Sequence, residues 1–197
     1  MAQFECFHVR RQLPYGPTAA LSVGDTFHIG SNNNPFFQFY ENTRAYSVTM
    51  QDGQGIMLPA LSFLKAVQAG EVQCGNLPAV AVEVANHYLM LTRELIYEEV
   101  RREENAELPS RKTCLWVSDS HVQAQSWHQV LGQTGSILRL NVVGHRHVAD
   151  SNLLVADSEP ISTTYQKARS YWRGEASHSP RWETLISGQV TVMEIVE

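Results

Sequence analysis

The stretch from residue 111 to residue 142 constrains the fold more than any other, because two apolar segments enclose an amphipathic one. Residues 113–117 have the β-branched and aromatic content of a short strand. Residues 120–131 place apolar side chains at helical spacing behind a capping side chain at Asp119 or Ser120, which predicts a helix packed on a sheet. Residues 136–143 predict a second strand. We therefore expect a sheet that is covered by a helix.

Further strands are predicted near both ends of the chain. Residues 4–9 and 26–29 have the composition of short strands, and Gly24-Asp25 forms a turn before the second of them. Residues 181–195 predict one or two strands, with a break at Ser187-Gly188. The polar and then aromatic residues 31–43 indicate an irregular loop, and residues 145–179 indicate a looser segment.

Two helices are predicted in the middle of the chain. Residues 57–70 predict a helix that ends at Gly70, and residues 77–105 predict a longer one with Asn76 as its cap and Pro78 in its first turn. One apolar stripe runs along the longer helix, and it consists of Val80, Val84, His87, Leu91 and Leu95. We expect the charged end of this helix, with Arg101 and Arg102, to be exposed to solvent. The arrangement of elements indicates the α+β class, in a single domain that spans residues 1–197.

Composition excludes several classes of protein. Hydrophobic residues make up 43% of the chain and charged residues 18%, as in ordinary globular proteins, and the net charge of −5 disfavours non-specific binding to nucleic acid. The three cysteines, Cys6, Cys74 and Cys114, are far apart and form no CxxC pair, so we expect buried free thiols. Because there is no secretory leader and no apolar run of membrane-spanning length, we expect a cytoplasmic protein without a membrane anchor.

The order of several local motifs resembles that of the ADP-ribosyltransferase superfamily, and most of all the small rifamycin ADP-ribosyltransferases. These motifs are a histidine in the first strand, a Gly-Asp turn, an aromatic strand followed by a helix, a turn that contains Asp, and a late strand with Glu, Leu, Gly and Val. In this chain they correspond to His8, Gly24-Asp25, Trp116 with Ala124 and Trp127, Asp150, and the "ETLISGQV" segment. The resemblance covers residues 4–40 and 110–196, and it leaves residues 57–107 outside as a helical insertion.

The resemblance implies an ADP-ribosyltransferase-like split β-sandwich with an NAD cleft between two small sheets. Enzymes of this kind break the bond between nicotinamide and ribose, and the ribose becomes cationic in the transition state, where a preorganised carboxylate stabilises it. Glu183 matches the position of this carboxylate on the late strand. Asp150 is the rival catalytic candidate, and its alternative role is that of a turn-forming residue.

The resemblance also implies roles in binding NAD. His8 would bond the adenosine ribose, unless it is a core histidine that bonds the backbone, and the backbone of Val9 would hold the nicotinamide carboxamide. Trp116 would stack on the nicotinamide ring where relatives have a tyrosine, and Ser118 would lie near the same wall. Trp127, on the helix behind this strand, is expected in the core.

Arg10 and Arg111 are the candidate partners of the NAD diphosphate, because a guanidinium can engage two phosphate oxygens at once. The alternative for both is an ordinary surface arginine. Arg111 is the better candidate, since it precedes the strand that carries Trp116.

Other side chains carry weaker signals. His145 and His147, with Asp150 nearby, are arranged as in an exposed polar turn, so no metal site is predicted. Tyr171 and Trp172 would either line an acceptor surface or pack beneath a loop.

Three functions remain open at this point. The first is transfer of ADP-ribose from NAD to an acceptor, which could be a protein, a nucleic acid or a small molecule, and the negative charge disfavours a nucleic acid. The second is hydrolysis of NAD, in which water replaces the acceptor. The third is a non-catalytic binding module on the same fold, which Trp116 and Val9 favour because both depart from the family pattern.

Overall fold

A computed structural model describes residues 2–11, 21–49, 53–155 and 157–196 of the chain. Within these residues it contains seven strands, five α-helices and one 3-10 turn, so the α+β class is confirmed. The strands are β1 (Ala2–Arg10), β2 (Thr26–Ile29), β3 (Ala45–Thr49), β4 (Gly55–Pro59), β5 (Leu115–Val117), β6 (Ser136–Asp150) and β7 (Trp182–Val196). The helices are α1 (Pro35–Glu41), α2 (Ala60–Gln68), α3 (Leu77–Glu104), α4 (His121–Val130) and α5 (Ile161–Trp172).

The main sheet is antiparallel and is built around the two long strands β6 and β7. Its order is β1-β6-β7-β2, and β5 pairs with β7 beside β2. β3 and β4 form a separate hairpin. None of the described helices is both long enough and apolar enough to cross a membrane.

The main sheet curls back on itself, because the first strand meets the end of the fifth. The backbone groups of Phe7 and Ser118 exchange two hydrogen bonds, of 2.8 and 2.7 Å. β1 therefore pairs with β6 along one edge and contacts the end of β5 along the other. The curled sheet encloses an apolar core made of Cys6, Val117, Leu138, Leu140, Val142, Ile186, Val190 and Val192.

A second core lies on the outer face of the same sheet, beneath α3 and α5. Ala149 and Leu185 contribute from the sheet, and Tyr97, Val100, Tyr171 and Trp172 contribute from the two helices. Successive side chains of a strand point to opposite faces, so the buried residues of β6 and β7 are divided between the two cores. The position of a side chain relative to these two cores decides which functional residues can meet.

Two glycines face each other where β6 and β7 cross the curled part of the sheet. Gly144 pairs with Gly188, and a Cβ atom on Gly144 would lie 1.9 Å from the carbonyl oxygen of Ser187. Gly188 has a φ of 128°, and its Cβ would lie 2.4 Å from the carbonyl oxygen of Val143. β7 therefore continues through Ser187-Gly188, where a break was predicted, and at this point its backbone closely approaches that of β6.

Several sequence predictions are confirmed. β2 has the predicted bounds, and Asn76 caps α3 by accepting a hydrogen bond of 3.2 Å from the amide of Ala79. Cys6 and Cys114 are buried free thiols, and Cys74 is partly buried. The helix predicted for residues 57–70 begins later, because residues 57–59 belong to β4.

The predictions for residues 31–43 and 145–179 were wrong. Residues 35–41 form α1, because Asn34 accepts a hydrogen bond of 2.9 Å from the amide of Phe37 and Pro35 occupies the first helical position. β6 continues to Asp150, and α5 fills most of the segment that was predicted to be loose. In both places the polar residues predicted a loop, although tertiary packing stabilises a helix there.

The prediction that the charged end of α3 is exposed was right for one side of the helix and wrong for the other. Glu99 and residues 102–105 are exposed, as predicted, but Tyr97, Glu98, Val100 and Arg101 are buried. Leu95, from the predicted apolar stripe, is 48% exposed. Arg101 donates to the carboxylate of Glu98 at 3.0 and 2.9 Å and to the carbonyl oxygen of Leu108 at 2.8 Å, so the buried charges of this side are neutralised by neighbouring groups.

Candidate functional site

The candidate site lies on the outer face of the main sheet, at the beginning of β7. Glu183 pairs with Ala149 and shares a face with Leu185, and both of these neighbours belong to the core beneath α3 and α5. Three other polar side chains reach the same place: Glu94 from α3, Arg111 from the loop before β5, and Tyr171 from α5. Elements that are remote in sequence thus place a cluster of charges around one carboxylate.

Two donors hold one oxygen of Glu183. The hydroxyl of Tyr171 donates to Oε1 at 2.6 Å, and Nη1 of Arg111 donates to the same oxygen. Nη1 of Arg111 also donates to the Tyr171 hydroxyl at 2.8 Å. The Glu183 side chain remains 12% exposed, so the carboxylate is oriented by the protein and is not fully enclosed.

A second carboxylate holds Arg111 from the opposite side. Glu94 is fully buried, and it accepts hydrogen bonds from Arg111 Nε at 2.9 Å and from Nη2 at 3.3 Å. Arg93 also donates to Glu94, and it donates to the carbonyl oxygen of Leu154 at 2.8 Å. Two guanidinium groups therefore face two carboxylates, and removing one partner from such a buried pair typically costs about 3–5 kcal/mol.

The protonation states of the cluster follow from these contacts. Burial alone would raise the pKa of Glu94, but the charges of Arg111 and Arg93 outweigh it and lower that pKa below its usual value. Burial raises the pKa of Tyr171 well above its usual value, against the lowering effect of Arg111. Tyr171 therefore stays a hydrogen-bond donor, and Glu94 stays an ionised acceptor.

Trp116 lies beside this cluster, on the same face as Glu183. The Arg111 guanidinium carbon is 5.6 Å from the centre of its ring system, which is a cation–π contact. Phe36 of α1 packs edge-on against Trp116 at 5.6 Å. β5 pairs Trp116 with Leu185, which lies on the same face as Glu183. Ser118 is buried just after β5 and pairs with Phe7 of β1.

His8 lies on the other face of the sheet. It pairs with Leu138, which belongs to the inner core, and its Nδ1 donates to the carbonyl oxygen of Trp116 at 2.8 Å. Burial lowers the pKa of His8, so the imidazole is neutral near pH 7. The structure does not bring His8 and Glu183 into one pocket, and it matches the alternative of a core histidine that bonds the backbone. Val9 and Arg10 follow at the end of β1, opposite Ile137 and Ser136.

Asp150 serves the turn after β6. Its carboxylate accepts hydrogen bonds from the amides of Asn152 at 3.0 Å, Ser177 at 2.8 Å and Arg181 at 2.8 Å. Burial would raise the pKa of Asp150, but these hydrogen bonds lower it to about 2. Asp150 is fully buried and neighbours Glu183 across the sheet with its side chain on the opposite face. We therefore assign Asp150 to its alternative role as a turn residue, and not to catalysis.

Arg111 is no surface arginine, and its hydrogen bonds leave little for a phosphate. It is 3% exposed, and Nε, Nη1 and Nη2 donate to Glu94, Glu183 and Tyr171. Asn34 fixes the same loop by donating to the carbonyl oxygens of Arg111 at 2.8 Å and Cys114 at 3.2 Å. A diphosphate could engage this guanidinium only by displacing a carboxylate, so the geometry favours a role in holding Glu183.

The remaining candidates are mostly core residues. His147 is buried against Trp172, and its Nε2 donates to the carbonyl oxygen of Tyr171 at 3.1 Å. Tyr171 and Trp172 are themselves buried, beneath α3 and not beneath a loop. Trp127 is only partly buried, with the Arg181 guanidinium 4.3 Å from its ring centre. No group of three or more His, Cys, Asp or Glu residues in the described ranges is arranged to hold a metal ion.

Glu94 and Arg93 escaped the sequence analysis, although a signal for Glu94 exists. The stripe through Val84 and His87 continues at helical spacing through Leu91, Glu94, Glu98 and Arg101. If only apolar residues are followed at this spacing, the stripe ends at Leu91 or continues to Leu95, and the buried Glu94 is missed. Charged residues that continue an apolar stripe are the pattern that could have revealed a buried ionic network.

The sequence was also compared with known proteins. It matches a family described as "Protein of unknown function (DUF2441)" over residues 6–197, and the chain belongs to that family. No curated protein matches the chain.

Proposed function

We propose that this member of the DUF2441 family is a cytoplasmic enzyme that transfers ADP-ribose from NAD to an acceptor, on an ADP-ribosyltransferase-like split β-sandwich. The observation that carries the proposal is the carboxylate of Glu183, which Tyr171 and Arg111 orient and whose side chain stays 12% exposed. The order of motifs along the chain supports the same class. The negative net charge favours a protein or a small molecule over a nucleic acid as the acceptor.

The proposed reaction needs one well-placed negative charge. The bond between C1′ of the ribose and the nicotinamide nitrogen breaks, and the bonding electrons leave with nicotinamide. C1′ then accepts an electron pair from the acceptor nucleophile, which loses a proton. Positive charge develops on the ribose between these events, and a carboxylate that is already oriented stabilises it without reorganisation. Glu183 is that carboxylate in our proposal, and the ring of Trp116 would receive the nicotinamide.

Incubation with labelled NAD tests the proposal. Label on an acceptor indicates a transferase, free ADP-ribose indicates a hydrolase, and intact NAD rules out both. Glu183→Gln keeps an acceptor oxygen for Tyr171 and Arg111 but removes the charge, so it should slow nicotinamide release by about a hundredfold or more. Glu194→Gln is the matched control, because Glu194 is an exposed carboxylate on the same strand. Equal turnover by the two variants would refute the role of Glu183.

A second candidate function is a non-catalytic binding module, and two observations favour it. His8 lies on the opposite face of the sheet from Glu183, and the positive charge of Arg111 partly neutralises the Glu183 carboxylate. Glu183 does not line either of two surface depressions, one along α3 and one around Gly144 to Arg146, where a ligand could bind without contacting it. Binding of NAD without release of nicotinamide would select this function over the transferase.

A further inference from the structure

The helix α3 lies outside the part of the chain that resembles the ADP-ribosyltransferases, yet it supplies Glu94, the buried carboxylate that holds Arg111. Glu94 holds Arg111 through two donors, Nε at 2.9 Å and Nη2 at 3.3 Å. Arg93 and the carbonyl oxygen of Leu154 fix Glu94 in turn, since Arg93 bonds both of them. A planar guanidinium that is held along one edge has little rotational freedom left.

The orientation of Arg111 determines where its remaining donors lie. With Nε and Nη2 directed to Glu94, Nη1 is directed to Glu183 and to the hydroxyl of Tyr171. Tyr171 is also immobile, because its ring packs against Tyr97 at 5.3 Å and Trp172 at 4.9 Å and is fully buried. Two fixed donors therefore converge on Oε1 of Glu183, which removes the rotational freedom of the carboxylate.

We propose that Glu94, Arg111 and Tyr171 are positioning residues that hold Glu183 in its reactive orientation, so that the insertion α3 acts on catalysis through Arg111. This inference rests on the function proposed above. The raised pKa of Tyr171 supports it, because a hydroxyl that does not ionise remains a donor over the whole working pH range. A carboxylate that is held in place before the substrate arrives stabilises the transition state without reorganising, so the positioning residues affect kcat more than the KM for NAD.

Tyr171→Phe tests this role with little disturbance, because it removes one hydroxyl from a packed ring. Tyr97→Phe is the matched control: Tyr97 is equally buried in the same core, and its hydroxyl donates to the carbonyl oxygen of Leu153 at 2.5 Å, away from Glu183. We expect Tyr171→Phe to lower kcat on the order of tenfold at an unchanged KM for NAD, since a hydrogen bond to a charged group is lost. The two variants should lower the melting temperature by similar amounts, but Tyr97→Phe should leave kcat as in the wild type.

A double variant separates positioning from a merely structural role. If Tyr171 acts through Glu183, then Tyr171→Phe in a Glu183→Gln background should not reduce kcat further, whereas independent effects would multiply. Glu94→Gln, which removes the charge that holds Arg111, should show the same loss of kcat at constant KM. Equal kcat values for Tyr171→Phe and Tyr97→Phe, in a protein whose Glu183→Gln variant is inactive, would overturn the positioning role alone. Absence of NAD cleavage by the wild type would overturn the proposed function together with this role.

Discussion

The hydroxyl of Tyr171 donates a hydrogen bond of 2.6 Å to Oε1 of Glu183. The first residue belongs to α5 and the second to β7, and the packed ring of Tyr171 fixes the donor that orients the carboxylate. The same oxygen accepts a hydrogen bond from Arg111, which Glu94 holds. The orientation of the Glu183 carboxylate is therefore a property of the whole network, and variants of its members should differ in their effects.

Replacing the carboxylates of Glu183 and Asp150 by amides should have different effects. Glu183→Gln should lower kcat for NAD cleavage by about a hundredfold or more, equivalent to about 3 kcal/mol, because the charge opposite the cationic ribose is lost. The affinity for NAD should not change. Asp150→Asn should reduce the free energy of unfolding by about 1–3 kcal/mol, because the three amides that bond Asp150 lose a charged acceptor. Turnover assays and urea unfolding check both, and a larger loss of kcat in the folded Asp150→Asn protein would reverse our assignment.

Asp150 should also make the protein sensitive to acid. Its pKa is lowered from 3.8 to about 2 in the folded protein, so the folded state binds this proton less readily than the unfolded state does. The resulting stabilisation is fully present above about pH 4 and is lost as the pH falls toward about 2. Urea unfolding at a series of acidic pH values should show this loss in the wild type. In Asp150→Asn the decline over the same interval should be shallower, and an identical decline in both proteins would contradict the assignment.

Gly144→Ala and Gly188→Ala should each destabilise the protein by a few kcal/mol, because the added Cβ would overlap a backbone oxygen. Gly188 carries the further strain of its φ of 128°. Gly55→Ala is the control, since a Cβ there would meet nothing within 4 Å. Thermal unfolding of the three variants measures the difference, and a Gly144→Ala protein as stable as the control would show that the two strands can separate at this point.

Charge reversal should distinguish the two arginines at the end of α3. Arg101 is buried against Glu98, so Arg101→Glu places two carboxylates together and should cost about 3–5 kcal/mol or prevent folding. Arg102 is 68% exposed at its side chain, so Arg102→Glu should change the stability by less than about 1 kcal/mol. Circular dichroism during heating decides the matter. Equal stability of the two variants would mean that the end of this helix is solvated, as the sequence predicts.

Trp116 and Trp127 should report on different properties. Trp116→Ala should weaken the binding of NAD while the protein stays folded, because this ring adjoins the Glu183 site. Trp127→Ala should leave NAD affinity unchanged and lower the melting temperature, since Trp127 belongs to α4 and its partly buried ring contacts the guanidinium of Arg181. Calorimetric titration with NAD and thermal unfolding measure the two effects, and loss of stability alone in Trp116→Ala would make it a core residue.

Much of the fold follows from local patterns. β2, the beginning of α3, and the order of β5, α4 and β6 follow from side-chain periodicity, turn glycines and the capping residue Asn76. The curling of the sheet does not follow from them, because it depends on the contact between Phe7 and Ser118, which are far apart in the chain. The hairpin of β3 and β4 was also missed, since each strand has only five residues and the apolar residues of β4 run directly into α2.

The site was predicted in part. The sequence resemblance singled out Glu183, Arg111, Trp116 and Ser118, and in the structure Arg111 contacts both Glu183 and Trp116. Glu94 could not be predicted, because apolar periodicity identifies buried positions by hydrophobic residues and here the buried residue is charged. The separation of His8 from Glu183 depends on which face of a curled sheet each one occupies, and that requires the register of every strand between them.

The central position of β7 has a consequence for biosynthesis. This strand is the common neighbour of β6, β5 and β2, yet it is made after all of them. A growing chain that has left the ribosome up to about residue 180 has three strands without their shared partner, and their open edges can pair with other chains. The main sheet, and with it the site around Glu183, can be completed only after residues 182–196 have emerged, so the open strand edges are exposed to aggregation and to chaperones until β7 has left the ribosome.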